Sequence, residues 1–454
     1  DAGKNTTTGQ KNNVLGGEAL YTNTTGSQNV SIGYNSLFSN TTADNNTAVG
    51  HNSLFANTTG TQNVAVGALA LDANTTGNNN VAVGYDTLDQ NTTGVNNTAI
   101  GTNAADGNTS GDNNVAVGYA ALYENSTGDS NTAVGRGALY TNTSNNNTAI
   151  GYESLTANTT GTVNTAIGVA ALAANTTASN NTAVGYNALN DNTTGTRNTA
   201  VGALSLDANT TANDNTAFGY QALTNLNAGN SNTAVGSNAL QEVTASDNTA
   251  VGMHAAKSTT TGAYNTAIGR RALEANTTGT YNTAVGGLAL DANSTADHNT
   301  AIGYNSITAC QTGTRNTAVG SMTLDSCTSS DNTAIGYEAL TSVTSRNSNT
   351  AVGSEALESN TASDNTAVGH RALRSCTSGS ANVAVGRMAL DVSTTADQTV
   401  AIGAYALDAV TTGDNNTALG YTAGTSMTTG HSNTAVGHGS LKESSTGFVN
   451  TPIR

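Results

Sequence analysis

The sequence predicts an all-β protein, a parallel β-solenoid of about 26 to 27 coils with 16 or 17 residues in each coil. The first observation is a recurring motif, Asn-(Thr/Val)-Ala-(Val/Ile)-Gly, whose 26 glycines begin at Gly16 and end at Gly437. Their intervals are 17 residues long, apart from four intervals of 16. The second observation is the composition, because 36% hydrophobic residues, 50 Gly and 1 Pro leave too few large apolar side chains for conventional layered domains. A period this short fits one solenoid coil and is too small for a helical pair or a propeller blade.

The repeat runs from one end of the chain to the other, so residues 1–454 are predicted to form a single continuous repeat domain without a linker. Coils stacked at about 4.8 Å predict a rod of about 125 Å. Residues 450–454 fit the repeat as a further motif, and Asp1 also falls within the phase of a coil. We therefore expect the segment either to continue into domains outside this sequence, such as an anchor, stalk or chaperone domain, or to stack head to tail.

Positions within a coil are numbered from the motif glycine, column 0, so that equivalent residues of successive coils form a column. Columns −3 to −1 alternate as in a β-strand, with Thr or Val, then usually Ala, then Val or Ile, as in Val64-Ala65-Val66. We expect the two β-branched side chains to face the core and the Ala to face outward. Because the few apolar side chains of one coil do not balance the entropy of ordering it, we also expect column −2 or the Leu-rich column +4 to be buried between chains.

Asparagine fills two further columns. Column −4 is Asn in every coil but one, where Thr399 replaces it, and this regularity is typical of a corner residue that bonds to its counterpart one coil away. Column +7 is Asn in the first twelve coils and later exchanges with residues such as Leu226 and Val243, which indicates an inward position. A buried amide must be paired, so we predict a ladder of stacked side-chain amides. Its first members are Asn23, Asn40, Asn57, Asn74 and Asn91.

Three cysteines share column +7 and are therefore predicted to be buried: Cys310, Cys327 and Cys376. The first two lie on adjacent coils, where a spacing of about 4.8 Å between Cα atoms is within disulfide range. Cys376 lies three coils beyond Cys327, which is too far for a disulfide within the chain.

The charge and the residue pattern exclude several classes of function. A net charge of −16 repels phosphate backbones and anionic lipids, so we expect no nucleic-acid partner and no binding to a membrane surface. No apolar run approaches the roughly 20 residues of a membrane-spanning helix, so no membrane insertion is expected. The six His are scattered over distant coils, and no clustered ligand set or nucleophile with its base recurs. We therefore predict no catalytic residue, no metal site, no cofactor and no enzymatic activity.

Two surface columns are candidates for binding. Column +1 carries Tyr on every second coil over one stretch, with rings about 9.6 Å apart; such a row either binds sugars or packs each ring over its smaller neighbours. Thr in columns +8 and +9, as at Thr58 and Thr59, forms either a hydroxyl array suited to ice or a soluble corner. The candidate glycan-contact row consists of Tyr85, Tyr119, Tyr152, Tyr186 and Tyr220.

The strings Asn29-Val30-Ser31-Ile32-Gly33 and Asn63-Val64-Ala65-Val66-Gly67, each followed by two variable residues and a small one, resemble the head repeats of YadA-type trimeric autotransporter adhesins. Similar strings occur in tail-fibre shafts of bacteriophages. The resemblance covers nearly the whole chain and implies a left-handed parallel β-roll in which three chains pack side by side. The coil of that family is nearer 14 residues, so a coil of 16 or 17 residues here implies a larger corner.

These observations lead to three functional expectations. The first is an extracellular structural fibre or adhesin segment, on a cell surface or a virion, that acts as a rigid rod in attachment to a host surface or glycan, or as a fibre shaft. Its partners are then two further copies in a homotrimer. The alternative is a self-assembling extracellular filament subunit whose copies stack head to tail. The third expectation is an ice-binding or glycan-binding solenoid.

Overall fold

The computed structural model describes residues 1–325, 328–342, 346–442 and 446–451. Within these residues the protein has 26 short parallel β-strands and no helix, stacked coil upon coil, which confirms the predicted β-solenoid. Two compact units make up the chain, Asp1–Asn230 with strands β1–β13 and Ser231–Arg454 with strands β14–β26.

The strands of the first unit are β1 Asn13–Leu15, β2 Val30–Ile32, β3 Thr47–Val49, β4 Val64–Val66, β5 Val81–Val83, β6 Thr98–Ile100, β7 Val115–Val117, β8 Thr132–Val134, β9 Thr148–Ile150, β10 Thr165–Ile167, β11 Thr182–Val184, β12 Thr199–Val201 and β13 Thr216–Phe218. Those of the second unit are β14 Thr233–Val235, β15 Thr249–Val251, β16 Thr266–Ile268, β17 Thr283–Val285, β18 Thr300–Ile302, β19 Thr317–Val319, β20 Thr333–Ile335, β21 Thr350–Val352, β22 Thr366–Val368, β23 Val383–Val385, β24 Val400–Ile402, β25 Thr417–Leu419 and β26 Thr434–Val436.

Equivalent residues of successive coils pair directly. In β3 and β4, for example, Ala48 is the partner of Ala65. Outside the strands the backbone continues the same axial pattern, because the Leu54 N–H donates to the Ala70 carbonyl at 3.0 Å and the Thr58 N–H donates to the Thr75 carbonyl at 3.0 Å. The stack therefore satisfies backbone donors and acceptors along much of each coil, although only three residues of a coil form a strand.

The predicted orientation of the strand was wrong. The Ala of column −2 faces the core, as at Ala65 with no exposed surface, whereas Val64 is half-buried and Val66 is 37% exposed. The Leu of column +4, such as Leu54, is also fully buried. Column −2 or column +4 was expected to be buried between chains, but both columns fill the core of a single chain. Leu and Asn side chains already occupy most of the interior of the narrow coil. The space that remains at the strand therefore admits only a small side chain such as Ala.

Glycine at column 0 is required by both conformation and space. Gly50 has φ +144°, a region that L-residues rarely adopt, and a Cβ at this position would collide with the carbonyl group of Gly67 in the next coil. The turn that follows also uses left-handed backbone, with φ 55° at Asn52 and 51° at Leu54. A left-handed Leu is unusual, and the full burial of its side chain supplies the compensating packing energy.

Both asparagine columns are buried and hydrogen-bonded along the stack. In column −4, the Asn63 backbone N–H donates to Asn46 Oδ1 at 2.9 Å, so each side chain bonds to its counterpart one coil away through the backbone amide. In column +7, Asn57 Nδ2 donates to Asn40 Oδ1 at 3.0 Å. The two columns share an acceptor, because Asn46 Nδ2 and Asn57 Nδ2 both donate to the carbonyl of Gly60, at 2.9 and 3.0 Å.

The five predicted ladder members follow this geometry in sequence. Asn23, Asn40, Asn57, Asn74 and Asn91 are all fully buried, and each of the last four donates from Nδ2 to Oδ1 of the one before it at 2.8–3.0 Å. An Asn that starts an Asn-Thr-Thr sequence in this column is therefore inaccessible to a glycosylating enzyme in the folded chain.

Cys310 and Cys376 also lie in the core at column +7, without exposed surface. Each sulfur contacts a backbone carbonyl, that of Gly313 at 3.3 Å and that of Gly379 at 3.2 Å. Burial raises the pKa of the Cys376 thiol to about 11, so the thiolate is disfavoured at neutral pH. Cys327 lies outside the described residues, and with it the predicted disulfide-range spacing to Cys310.

Candidate functional site

The first candidate interaction surface is the outer strand face, which we define as columns −3 and −1 of the strands. Column −1 is Val, Ile, Leu or Phe in every described strand. In the first unit its most exposed members are Leu15, Ile32, Val66, Ile100, Ile150, Ile167 and Phe218, and in the second unit they are Val235, Val251, Ile268, Ile302, Ile335, Val368, Ile402 and Leu419.

Side chains of the outer strand face are uncharged and stand in register. Ile150 is 39% exposed and Ile167 is 37% exposed, and their strands β9 and β10 pair directly, so the two side chains are neighbours on the surface. Column −3 adds half-buried Thr or Val beside them, such as Thr148 and Thr165. Monomeric soluble proteins rarely expose long contiguous apolar patches, and a regular stripe of this kind is typical of a surface that another molecule covers.

The candidate glycan-contact row lies on the flank, beyond the motif glycine. Its five tyrosines are 43–56% exposed. A smaller neighbour does support a ring elsewhere in the same column, because a Cβ on Gly17 would stand 3.1 Å from the ring of Tyr34. Within the row, Arg136 lies between two rings, with Cζ 5.9 Å from the centroid of Tyr119 and 5.4 Å from that of Tyr152. The cation–π contacts fix these three side chains relative to one another.

Column +5 is a second flank column that the sequence reasoning missed. In the first unit it begins with three stacked rings, Tyr21, Phe38 and Phe55, whose successive centroids are 5.3 Å apart. Tyr123 and Tyr140 stack in the same column at 4.9 Å. An alignment of the repeats by column would have shown these consecutive aromatic residues. Side chains of one column are neighbours at the axial spacing of the coils, so consecutive rings predict a stack.

Three aspartates, Asp72, Asp89 and Asp106, occupy column +5 between the two ring stacks. Burial, reinforced by the charge of Asp106 and a hydrogen bond to it, raises the pKa of Asp89 to about 7. Burial also raises the pKa of Asp72 and Asp106. The Asp89 carboxyl is therefore partly protonated at neutral pH, and burial favours the neutral form of its two neighbours in the column.

The two threonine columns at the corner use their hydroxyls differently. Thr58 Oγ1 donates to the Thr75 carbonyl at 3.1 Å, and Thr75 Oγ1 donates to the Thr92 carbonyl at 3.0 Å. The column +8 hydroxyls thus supply donors to the axial ladder, and column +9, with Thr59, is the exposed one. A hydroxyl that already donates within the protein is a poorer donor for an ordered water lattice, which weighs against the ice-binding hypothesis at these columns.

One polar cleft of about 370 Å³ opens in the second unit beside a coil with 16 residues. Arg346 lines it and donates from Nε to the Thr361 carbonyl at 2.9 Å. Ser363, Asp364 and Ser380 also line the cleft. The missing corner residue of the coil that contains Thr361 explains the recess, because its neighbours on either side extend one residue further.

Across residues 1–325, 328–342, 346–442 and 446–451, no group of three or more His, Cys, Asp or Glu side chains is arranged to hold a metal ion. The same residues contain no helix of the length and apolarity needed to cross a bilayer. A search with models of known protein families gives no match, and a search of curated proteins by sequence gives none either. The assignment of a function therefore depends on the surfaces described above.

Proposed function

We propose that this chain is a structural segment of an extracellular fibre, whose copies associate side by side through the outer strand face. The observation that carries the proposal is the uncharged, in-register stripe of exposed Val and Ile in column −1. The resemblance of the motif to adhesin heads and fibre shafts supports the same assignment. On this proposal the fibre belongs to a cell surface or a virion and contributes to attachment.

Association through the outer strand face has a clear energetic basis. Burial of apolar surface stabilises a complex by roughly 25 cal/mol for each Å² removed from water, before the cost of association is subtracted. The face carries such residues in consecutive coils, including Ile150 and Ile167, and has no charged residue whose desolvation would oppose contact in β9 and β10. A homotrimer is the assembly that we propose, as in the adhesin heads that the motif resembles, and three copies around one axis form a closed group in which each copy's face is covered.

The experiment is sedimentation velocity on the 454-residue chain and on two double variants. Ile150→Lys with Ile167→Lys places two charges on the outer strand face, and the matched control, Thr160→Lys with Thr177→Lys, places the same charges on exposed corner positions of the same two coils. We expect the parent chain and the control to sediment as a trimer at micromolar concentration. The first variant should sediment as a monomer with an unchanged circular dichroism spectrum.

Two results would contradict the proposal. One is a parent chain that stays monomeric at every concentration, and the other is a face variant that associates as well as its control. A sedimentation coefficient that keeps rising with concentration, in the parent and in both variants alike, would instead support the head-to-tail filament.

A further inference from the structure

A small depression interrupts the flank of the first unit between columns +1 and +5. We call it the Gly137 pit, and its volume is about 130 Å³. Its floor is column +2, where Ala120 and Gly137 follow each other on adjacent coils. The coils on either side carry the larger Asn103 and Glu153 in that column. Two small residues in succession therefore create the recess.

Aromatic side chains form two walls of the Gly137 pit. Tyr119 lies on the column +1 side and is 56% exposed. Tyr140 lies on the column +5 side, where its ring is stacked on Tyr123 at 4.9 Å with an angle of 15° between the planes. The stack on Tyr123 holds the Tyr140 ring, and the contact with the Arg136 guanidinium holds the Tyr119 ring, so less side-chain entropy remains to be lost on binding.

Side chains of opposite charge, Arg136 and Glu153, lie at the rim of the Gly137 pit. Arg136 Nη1 donates to the Tyr152 hydroxyl oxygen at 3.2 Å. Glu153 follows Tyr152 in the chain and also lines the pit, and its interaction with the Tyr152 hydroxyl raises the pKa of Tyr152. The Glu153 backbone N–H donates to the Arg136 carbonyl at 3.0 Å, so a guanidinium donor and a carboxylate acceptor stand on adjacent coils at the same pit, which Thr156 also lines.

We propose that the Gly137 pit binds one neutral pyranose ring of a carbohydrate. The C–H face of a sugar ring packs against a Tyr face, and adjacent hydroxyls of the ring pair with a donor and an acceptor such as Arg136 and Glu153. A purely apolar ligand would desolvate both charged groups without pairing them, and a singly charged ligand would meet a like charge in one of them. A concave surface with a few convergent polar groups is also typical of small-molecule sites.

This inference goes beyond the proposed fibre function and uses a different part of the coil. The pit lies in columns +1, +2 and +5, whereas association is proposed through columns −3 and −1. Two tyrosines of the sequence-predicted row take part, Tyr119 as a wall and Tyr152 at the rim. For a shallow site and a single sugar ring we expect a Kd of about 1–10 mM, and several copies in one fibre would raise the avidity.

The test is saturation-transfer difference NMR on the 454-residue chain with three probes, the methyl pyranosides of glucose, galactose and mannose. We expect at least one probe to receive saturation on its ring protons. Gly137→Asn should reduce that signal at least fivefold, because the side chain fills the pit. Asn occupies column +2 elsewhere with the same left-handed backbone, for example Asn103 at φ 55° against φ 64° for Gly137, so this variant should fold normally.

Tyr186→Ala is the matched control, because it removes an equally exposed column +1 ring away from the pit. It should leave the signal within twofold of the parent, as should Ile150→Lys with Ile167→Lys, which tests association alone. The proposal is overturned if none of the three probes receives saturation, or if Gly137→Asn retains the full signal. It is also overturned if Tyr186→Ala removes the signal as completely as Gly137→Asn, which would indicate weak contact along the whole row.

Discussion

At the scale of the residue, steric contact between successive coils limits the size of the side chain that each column accepts. Identical positions lie one above another at the axial spacing of the coils, so a substituent that is too large meets its counterpart directly. At column 0 a Cβ would collide with the next backbone, as for Gly50 against Gly67. At column −2 the methyl group of Ala65 fits between buried neighbours. The repeated Ala-x-Gly of the motif is therefore a packing requirement of the stack.

The aspartates of column +5 make the stability of the first unit depend on pH. The pKa of Asp89, about 7, lies above the ordinary aspartate value of 3.8, so between about pH 4 and pH 7 the folded chain binds more protons than the unfolded chain. Stability should therefore fall as pH rises through this window. Asp89→Asn removes the charge and keeps a hydrogen-bond donor toward Asp106.

We expect Asp89→Asn to raise the thermal midpoint at pH 8 by about 2–4 °C, which corresponds to ~1 kcal/mol after allowance for solvent screening. At pH 4 the variant and the parent should melt together. The control is Asp247→Asn, at an exposed corner position, which should change neither value by more than about 1 °C. Equal midpoints for Asp89→Asn and the parent at pH 8 would contradict this account of the column.

At the level of the element, the coil was predictable in its length, its single strand and its inward amides. Periodic glycines determine the length, and the exchange of Asn with Leu and Val in column +7 indicates burial, as at Leu226. The inward side of the strand was not predictable, because three alternating residues define two faces without saying which one is covered. Leu54 and Asn57 fill most of the interior, and the space that remains admits Ala65 but not the larger Val66.

The amide ladder of column +7 predicts that the same substitution costs more stability inside the ladder than at its end. Asn74 donates to Asn57 and accepts from Asn91, both at 2.8 Å. Asn209 donates to Asn192 at 2.7 Å, but its own Oδ1 has no hydrogen-bond partner in the structure. Asn74→Val therefore leaves one more buried group unpaired than Asn209→Val does.

In urea unfolding we expect Asn74→Val to cost about 1–3 kcal/mol, and Asn209→Val to cost about 1 kcal/mol less. Both sites lie in the first unit and both receive the same residue, which column +7 accepts at Val410. Equal costs at the two sites would contradict the view that the ladder stabilises the core through cooperative pairing.

For the whole molecule, the sequence predicted a solenoid along the chain and a need for a second burial surface. It placed that surface at column −2 or column +4, which was wrong because the choice depended on the orientation of the strand. With Ala65 inside, the β-branched side chains of columns −3 and −1 are left on the surface. The sequence also did not predict the Gly137 pit, because the pit is formed by residues of three columns on adjacent coils.

The most direct measurement of the central claim is the rate at which a bulky maleimide labels a single cysteine at two positions. Cys310, Cys327 and Cys376 are replaced by Val, and either Ile150→Cys on the outer strand face or Thr160→Cys on the exposed corner is added. Labelling at position 150 should slow at least tenfold as the protein concentration rises from nanomolar to micromolar, because copies cover this face, while labelling at position 160 should stay constant. Equal, concentration-independent rates at both positions would contradict side-by-side association through the outer strand face.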